Sequence, residues 1–502
     1  MDGSTIVIWL IIIILISKRF LKAKLLPPGP IGFPVIGNFL NIAWACYRQK
    51  VQFYELLSQW AKRYGRVTSF WLGNQLIVVI NDVRLAKKAF TGDDIADRPA
   101  NPAFDKLTKG TGLALSSGPA WREQRRFSIE VFGKLGIGKS SFEHLISSEV
   151  EHLTREFQGK VKENISFNPQ ELFTKAVCNV ISSIVLGQRF SYSNEEFNNV
   201  VQRMQKNFHI IGSGGALLYV PFLKYTPVMS NLLNEYSENL TKNVSFLKAI
   251  VEKHKFSDVD DKPKDFIDAW LIDIEKRKTE GTDASSLSEN NLIVTIMDLF
   301  ASGAETTSAS LSWFFLYMIR YPEVQNKIQQ EIDSVVGPKR LPQLADKPNL
   351  PYTEATILEV MRIQTVSPVV PHSAARHTII HGYRIPKGAV VMSNIWHMLH
   401  DSEVWDDPYE FIPERFLDED GKLDNKADVM VPFGIGQRSC LGEQITKMQL
   451  FLFITHLMHQ LTFDLPKDSP PIDIRGSSGI TNIPQAYEIC TTARRSKVPK
   501  TK

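Results

Sequence analysis

Apolar positions along this chain recur mainly at helical spacing, and short strand-like runs are confined to a few stretches. The longest periodic segment runs from Asn290 to Arg320. Leu292, Ile293, Ile296, Leu299 and Phe300 begin its apolar stripe, and Leu311, Phe314, Phe315 and Met318 continue it. Such a helix is roughly 45 Å long at about 1.5 Å per residue. Phe53 to Tyr64 reads as a shorter helix, and Asp82 opens another. Between them, Val67–Gly73 and Leu76–Ile80 read as two strands turning at Gly73-Asn74. A helix starts around Trp121–Arg126, Ser140 to Lys276 is mainly helical, and Ile445 to Leu457 is a late apolar helix. Pro368–His372 leads into short strands at Gly382–Gly388. The pattern predicts a mainly α fold with a small β region.

The interruptions carry as much information as the periods. Asp97 to Gly118 is rich in Pro, Gly and Ser and predicts a long loop, and long loops in compact domains are often functional. Gly212 to Pro227 breaks the helical pattern with an apolar Gly- and Pro-containing segment, which reads as core packing or as contact with membrane or ligand. The middle of the long helix reads Ala301-Ser302-Gly303-Ala304-Glu305-Thr306-Thr307-Ser308. A mid-helix Gly costs about 1 kcal/mol relative to Ala, and successive Ser and Thr are poor helix interior. Locally unfavourable residues in a strongly apolar helix point to a functional site or to a close helix crossing.

At the N-terminus, Thr5–Ile16 is a nearly pure apolar run, preceded by Asp2 and followed by Lys18, Arg19, Lys22 and Lys24. A cleaved signal peptide has the opposite charge order. The run predicts an uncleaved transmembrane anchor over residues 1–25 with the body in the cytosol. Prolines 27, 28, 30 and 34 then stiffen a hinge over 26–34, and 35–502 reads as one large domain without linker or repeat. Sequons stand at Asn164, Asn239 and Asn243, and a cytosolic body leaves them unmodified.

Composition adds limits. The chain has 502 residues, a net charge of +4 and 43% hydrophobic residues, and no charge block marks it for nucleic acid. Cys46, Cys178, Cys440 and Cys490 lack Cys-x-x-Cys spacing, so neither a disulfide framework nor a structural zinc site is implied.

One of these cysteines lies in a glycine-rich loop, Phe433-Gly434-Ile435-Gly436-Gln437-Arg438-Ser439-Cys440-Leu441-Gly442-Glu443. A cysteine just before a helix start faces N–H donors and the positive dipole end, which favour thiolate. A lone thiolate is a soft metal ligand, and haem iron accepts one. Position alone equally suits an inert buried thiol.

The pattern Phe-x-x-Gly-x-Arg-x-Cys-x-Gly resembles the haem-binding loop of the cytochromes P-450, matched here by Phe433, Gly436, Arg438, Cys440 and Gly442. Further motifs of that family stand in order along the whole chain: the proline hinge, Trp121-x-x-x-Arg125, Gly303-x-Glu305-Thr306, Glu359-x-x-Arg362, Pro413-Glu414-Arg415-Phe416 and the cysteine loop. The resemblance is to microsomal animal members of the drug-, fatty-acid- and steroid-metabolising group. It implies a cytochrome P-450 fold around buried haem b, with an N-terminal transmembrane helix and Cys440 as axial ligand. Trp121, Arg125, Arg98, His372, Phe433 and Arg438 would be the other haem contacts. Gly303, Glu305 and Thr306 would serve oxygen activation, Gly303 by leaving room and Glu305-Thr306 as an acid–alcohol pair relaying protons. Glu359, Arg362 and Arg415 would form a structural charge triad. Substrate contacts would come from Phe300, Ser302, Val366, Val369, Val370 and Ile480. The interval from Arg362 to His372 is one residue shorter than is usual in the family.

The activity implied is insertion of one oxygen atom of O₂ into a lipophilic substrate, by hydroxylation or epoxidation of a fatty acid, steroid or foreign compound. Electrons would come from NADPH through a separate membrane-bound reductase, with cytochrome b5 as a further partner and lipid as the surroundings; no dinucleotide-binding pattern is present in the chain. Arg122 and Arg126, on the other face of the Trp121 helix, would meet an acidic redox partner. Two alternatives are a reductase-independent haem-thiolate isomerase or dehydratase and a non-enzymatic haem-binding protein. Neither needs the acid–alcohol pair.

Overall fold

The computed structural model describes residues 25–33, 35–100, 110–213, 225–256, 262–282, 285–467, 469–477 and 479–494. The apolar run Thr5–Ile16 and most of the 212–227 segment lie outside these residues. No described helix is long and apolar enough to cross a membrane.

The first part of the chain folds as α1 (Phe39–Gln49), α2 (Phe53–Tyr64), β1 (Val67–Leu72), β2 (Gln75–Ile80) and α3 (Val83–Thr91). The hairpin turns where the sequence predicts, with Leu72 paired to Gln75 across the Gly73-Asn74 turn. β2 is fully buried from Ile77 to Ile80, because β6 (Val390–Ser393) pairs with it in parallel and β3 (Val370–Ser373) completes a four-stranded sheet in the order β1-β2-β6-β3. A strand enclosed in this way reads as a continuous apolar run without alternation. Helix α1 has no counterpart in the periodicity. Phe39 and Ile42 pack on the sheet while Leu40, Trp44 and Tyr47 are exposed, so apolar residues extend beyond the buried face and blur the boundary of its stripe.

Helices fill the rest: α4 (Gly118–Lys134), α5 (Ser140–Glu163), α6 (Gln170–Val185), α7 (Glu195–Ser213), α8 (Pro227–Lys255), α9 (Phe266–Glu280), α10 (Glu289–Arg320), α11 (Pro322–Val335), α12 (Pro351–Ile363), α13 (Ile395–Leu399) and α14 (Glu443–Gln460). Two-stranded pieces, β4 (Thr378–Ile380) with β5 (Tyr383–Ile385), β7 (Leu461–Asp464) with β10 (Cys490–Ala493) and β8 (Gly476–Ser477) with β9 (Ile483–Pro484), complete the small β region.

Helix α10 is the axis of the core. The Ser288 hydroxyl caps it by accepting the Asn291 N–H (3.3 Å). Its second half is buried on all sides: Trp313, Phe314, Phe315, Leu316, Tyr317 and Met318 are each at most 1% exposed. Phe315 stacks on Phe173 of α6 (5.2 Å between ring centres) and touches Phe463 of β7 (4.4 Å). Most of the hydroxyls that made the middle of α10 look unfavourable are satisfied within the helix. Ser302, Thr306, Ser308, Ser310 and Ser312 each donate to the carbonyl four residues back.

Candidate active site

The cysteine loop is set by glycine geometry. Gly436 has φ +76°, and a Cβ there would collide with the Phe90 carbonyl, so a bare backbone lets the loop lie directly on α3. The loop closes when the Cys440 N–H donates to the Phe433 carbonyl (2.8 Å), and α14 begins three residues later. Cys440 is solvent-accessible while Ile435 and Arg438 of the same loop are buried. Surrounding protein nonetheless desolvates the sulfur. Desolvation raises its pKa, aided by Glu443 and opposed by the Gly442 N–H and Arg125. The helix start therefore does not by itself make a thiolate: burial outweighs it.

Three guanidiniums converge beside this loop. Arg438 donates from Nε to the Ala96 carbonyl (2.6 Å) and from its terminal nitrogens to Ser116 O (2.6 Å) and Leu113 O (3.4 Å), with its guanidinium carbon 3.5 Å from the centre of the Trp121 ring. Arg98 donates to Ala114 O (3.0 Å) and Pro371 O (2.6 Å). Arg125, one turn beyond Trp121 on α4, donates to Ser439 O (2.7 Å). Burial and then Arg98 push the Arg438 pKa down, although Asp97 opposes this, and burial and then Arg125 push that of Arg98 down. His372 belongs to the same group. Burial, Arg98 and Arg438 hold its pKa well below the usual histidine range, and neither ring nitrogen makes a hydrogen bond of normal geometry, although the Val370 and Val391 backbone groups are close. Among the described residues, no carboxylate lies within ion-pair distance of the three guanidiniums.

Helix α10 meets the loop here. Leu299 of α10 and Leu441 beside Cys440 pack on one cluster of Ala96, Leu113 and Trp121. Thr307 and Thr446 of α14 bring their hydroxyls to 3.5 Å. Two faces of α10 diverge at this level. Ser302, exposed, and Thr306 lie one turn apart on one face, with the Thr306 hydroxyl donating to Ser302 O (2.7 Å). Phe300, Ala301, Ala304 and Glu305 line a small cavity on the other face with Cys178 of α6 and Gln205 of α7. Burial raises the Glu305 pKa, and a hydrogen bond with Gln205 opposes that. The carboxyl and hydroxyl of the expected acid–alcohol pair thus point to different neighbours. Phe300, 1% exposed, sits with Glu305 and not with Ser302. A Cβ on Gly303 would lie 2.8 Å from Ile181 Cδ1, so this glycine permits the close crossing of α10 and α6.

The remaining expected residues separate. Arg362 of α12 donates bidentately to Glu359 (2.6 and 2.8 Å) and also to the Leu399, Pro408 and Glu410 carbonyls. Arg415 donates to the same carboxylate (3.1 Å), and the Ile412 N–H does so too (3.0 Å). Val366, Val369 and Val370 are each half-buried but pack on three different clusters. Ile480 is 38% exposed at the β8–β9 turn.

Asp298 escaped the motif reading. Its Oδ2 accepts the N–H groups of Leu113 (2.6 Å) and Ala114 (2.8 Å), and burial outweighs these bonds to push its pKa up to about 6. It ties α10 to the loop whose carbonyls hold Arg98 and Arg438. The signal was an acid inside an apolar stripe, between Ile296 and Leu299.

The donor set suits a haem. Crowded cations bonded only to neutral oxygens, together with a buried unpartnered imidazole, fit anionic carboxylate side groups, and an accessible cysteine sulfur faces the same region. Comparison with known proteins agrees. The family model described as Cytochrome P450 matches residues 27–491. The chain is similar to cytochrome P450 2U1 of Bos taurus (37% identity, 93% of this chain and 89% of the relative). It is also similar to cytochrome P450 2D20 of Mesocricetus auratus (36%, 95% and 94%) and to cytochrome P450 2J5 of Mus musculus (36%, 97% and 95%). The chain belongs to the cytochrome P450 family and is a haem-thiolate monooxygenase, supplied with NADPH electrons through a reductase.

Proposed function

We propose that Cys440 would supply the thiolate ligand of the haem and that Trp121, Arg125, Arg98, His372 and Arg438 would hold its propionates, with Phe433 beside the Cys440 sulfur. The observation that carries this reading is the set of three guanidiniums around the cysteine loop, with no carboxylate of the described residues within ion-pair distance of them. When bound, the haem would supply activation of O₂ and transfer of one oxygen atom.

The chain's own groups bind, orient and move protons. Thr306 carries a hydroxyl whose proton is held on the Ser302 carbonyl and whose lone pairs remain able to accept from water. Glu305 would offer a carboxyl for proton transfer on the other face, where burial raises its pKa and a hydrogen bond with Gln205 opposes that. Gly303 brings α6 against α10 and so fixes the helix level at which both residues act. The Glu359–Arg362–Arg415 network holds the segment that leads to the cysteine loop.

Residues 1–25 form a membrane anchor, 26–34 a hinge and 35–502 the catalytic domain, at the cytosolic face of the endoplasmic reticulum. Exposed Ile31 and Phe33 in the hinge, Leu40, Trp44 and Tyr47 of α1, and Tyr225 and Val228 around the start of α8 support lipid contact. Lipophilic substrates, fatty acid, steroid or foreign compound, would reach Ser302, Val366, Val369, Val370 and Ile480 from the bilayer. Phe300 would shape that pocket through α10. Cytochrome b5 is a second electron donor.

Purified full-length protein titrated with lauric acid, progesterone and 7-ethoxycoumarin tests the substrate reading. A type I spectral shift followed by NADPH- and reductase-dependent product is the expected outcome. No shift and no product with any of the three would overturn it.

A further inference from the structure

The turn between β8 and β9 carries Ile480 near its tip and Asn482 at its base. Asn482 is 1% exposed, and its hydrogen bonds reach three separate elements. Its backbone N–H donates to Val366 O (2.8 Å). Its Nδ2 donates to the backbone carbonyl (3.3 Å) and side-chain Oε1 (3.2 Å) of Gln364, the residue that ends α12. Its carbonyl accepts the indole N–H of Trp313 on α10 (2.9 Å). Gln364 extends the node, donating from Nε2 to the Tyr317 hydroxyl of α10 (2.8 Å) and to Ile474 O (3.2 Å).

Space around the node is tight. A Cβ on Gly476, across the β8–β9 pair, would collide with Asn482 Oδ1. At the tip, a Cβ on Gly212 near the end of α7 would lie 3.1 Å from Ile480 N, so the turn is also pressed against α7. The Asn482 Nδ2 and the Gln364 amide are bonded while Asn482 Oδ1 is buried without a partner, so the node holds its three elements together through the donors of these two amides.

We infer that Asn482 is a positioning residue that sets which atom of a substrate is oxidised, by holding the Val366 and Ile480 walls in fixed register with α10. The inference rests on the monooxygenase reading and adds to it a determinant of regioselectivity that does not itself touch substrate. Asn482 lies in the turn between β8 and β9, and its partner Gln364 caps the C-terminal end of α12.

The test uses full-length Asn482→Ala, Gln364→Leu and the double variant, each reconstituted with reductase and NADPH. The probes are lauric acid, progesterone and 7-ethoxycoumarin, and product positions are read by mass spectrometry. Each single variant should shift the ratio of the two main products at least threefold while the reduced-CO spectrum stays intact. The double variant should shift it by less than the two single effects combined, because both changes remove the Asn482 Nδ2–Gln364 Oε1 bond. If Asn482→Ala does not fold, Gln364→Leu decides from the other side of that bond. Unchanged product ratios with only a lower Tm would overturn the inference and leave Asn482 a stabilising residue. Wild-type protein with an intact CO spectrum but no NADPH-dependent product from any probe would remove the monooxygenase reading, and the inference with it.

Discussion

The guanidinium carbon of Arg438 lies 3.5 Å from the centre of the Trp121 ring, and the same group bonds three backbone carbonyls between Ala96 and Ser116. Stacking fixes the plane of the guanidinium, and the carbonyls fix its rotation, so one arginine joins the cysteine loop, α4 and the 96–116 loop. Arg438→Leu should lower the haem-to-protein ratio at least tenfold. Trp121→Phe keeps the ring but loses the indole N–H, and should lower it less. Full haem content in Arg438→Leu would show that the cluster does not hold the cofactor.

The Glu359 carboxylate is fully buried and accepts from Arg362, Arg415 and the Ile412 N–H. Removing it leaves two buried guanidiniums without their counter-charge. Breaking a buried pair from one side destabilises by about 3–5 kcal/mol. Glu359→Ala should therefore give little folded, haem-loaded protein, and chemical denaturation should show a loss of that size. A loss under about 1 kcal/mol would put the pair in the class of exposed salt bridges.

Asp298 gives a pH dependence with a defined sign. Burial raises its folded pKa from 3.8 to about 6, so the folded state binds the proton more tightly than the unfolded chain. Stability contributed by this group is highest below pH 4, falls as pH rises towards 6 and is level above that, a change on the order of 3 kcal/mol. Asp298→Asn keeps an oxygen acceptor for the Leu113 and Ala114 N–H groups and removes the titration. Its Tm should lose the component that falls between pH 4 and 6, and match or exceed wild type at pH 7.5. An unchanged pH profile would assign that slope to other groups.

Much of this arrangement was legible in the chain. Helix α10, the β1–β2 hairpin and α14 follow from spacing alone, because each buries one face or all faces in a regular element. The pieces of the site were legible as motifs, but their grouping was not. Arg98 reaches Pro371 O across 273 residues of sequence, and no periodicity encodes that. The direction of Glu305 was also hidden. Adjacent residues on a helix project about 100° apart, so sequence adjacency to Thr306 does not mean spatial pairing. Asn482 and Gln364 lie in irregular segments, where local pattern has no period to read.

The sequons sharpen the topology test. Asn243 is 1% exposed and accepts from Arg203, and Asn239 is 9% exposed and bonded to Asn207, so neither can be modified in the folded protein. Asn164 is exposed, at the C-terminal end of α5. In cells, Asn164→Gln should leave electrophoretic mobility unchanged, as expected for a cytosolic body. A faster-migrating Asn164→Gln would place the body in the lumen.

The central claim is that Cys440 ligates the haem, and the spectrum of the reduced protein with CO tests it most directly. Wild type should show the red-shifted Soret band of thiolate-ligated haem, and Cys440→Ala, purified at equal protein concentration, should lack it. The same band in Cys440→Ala would contradict the assignment.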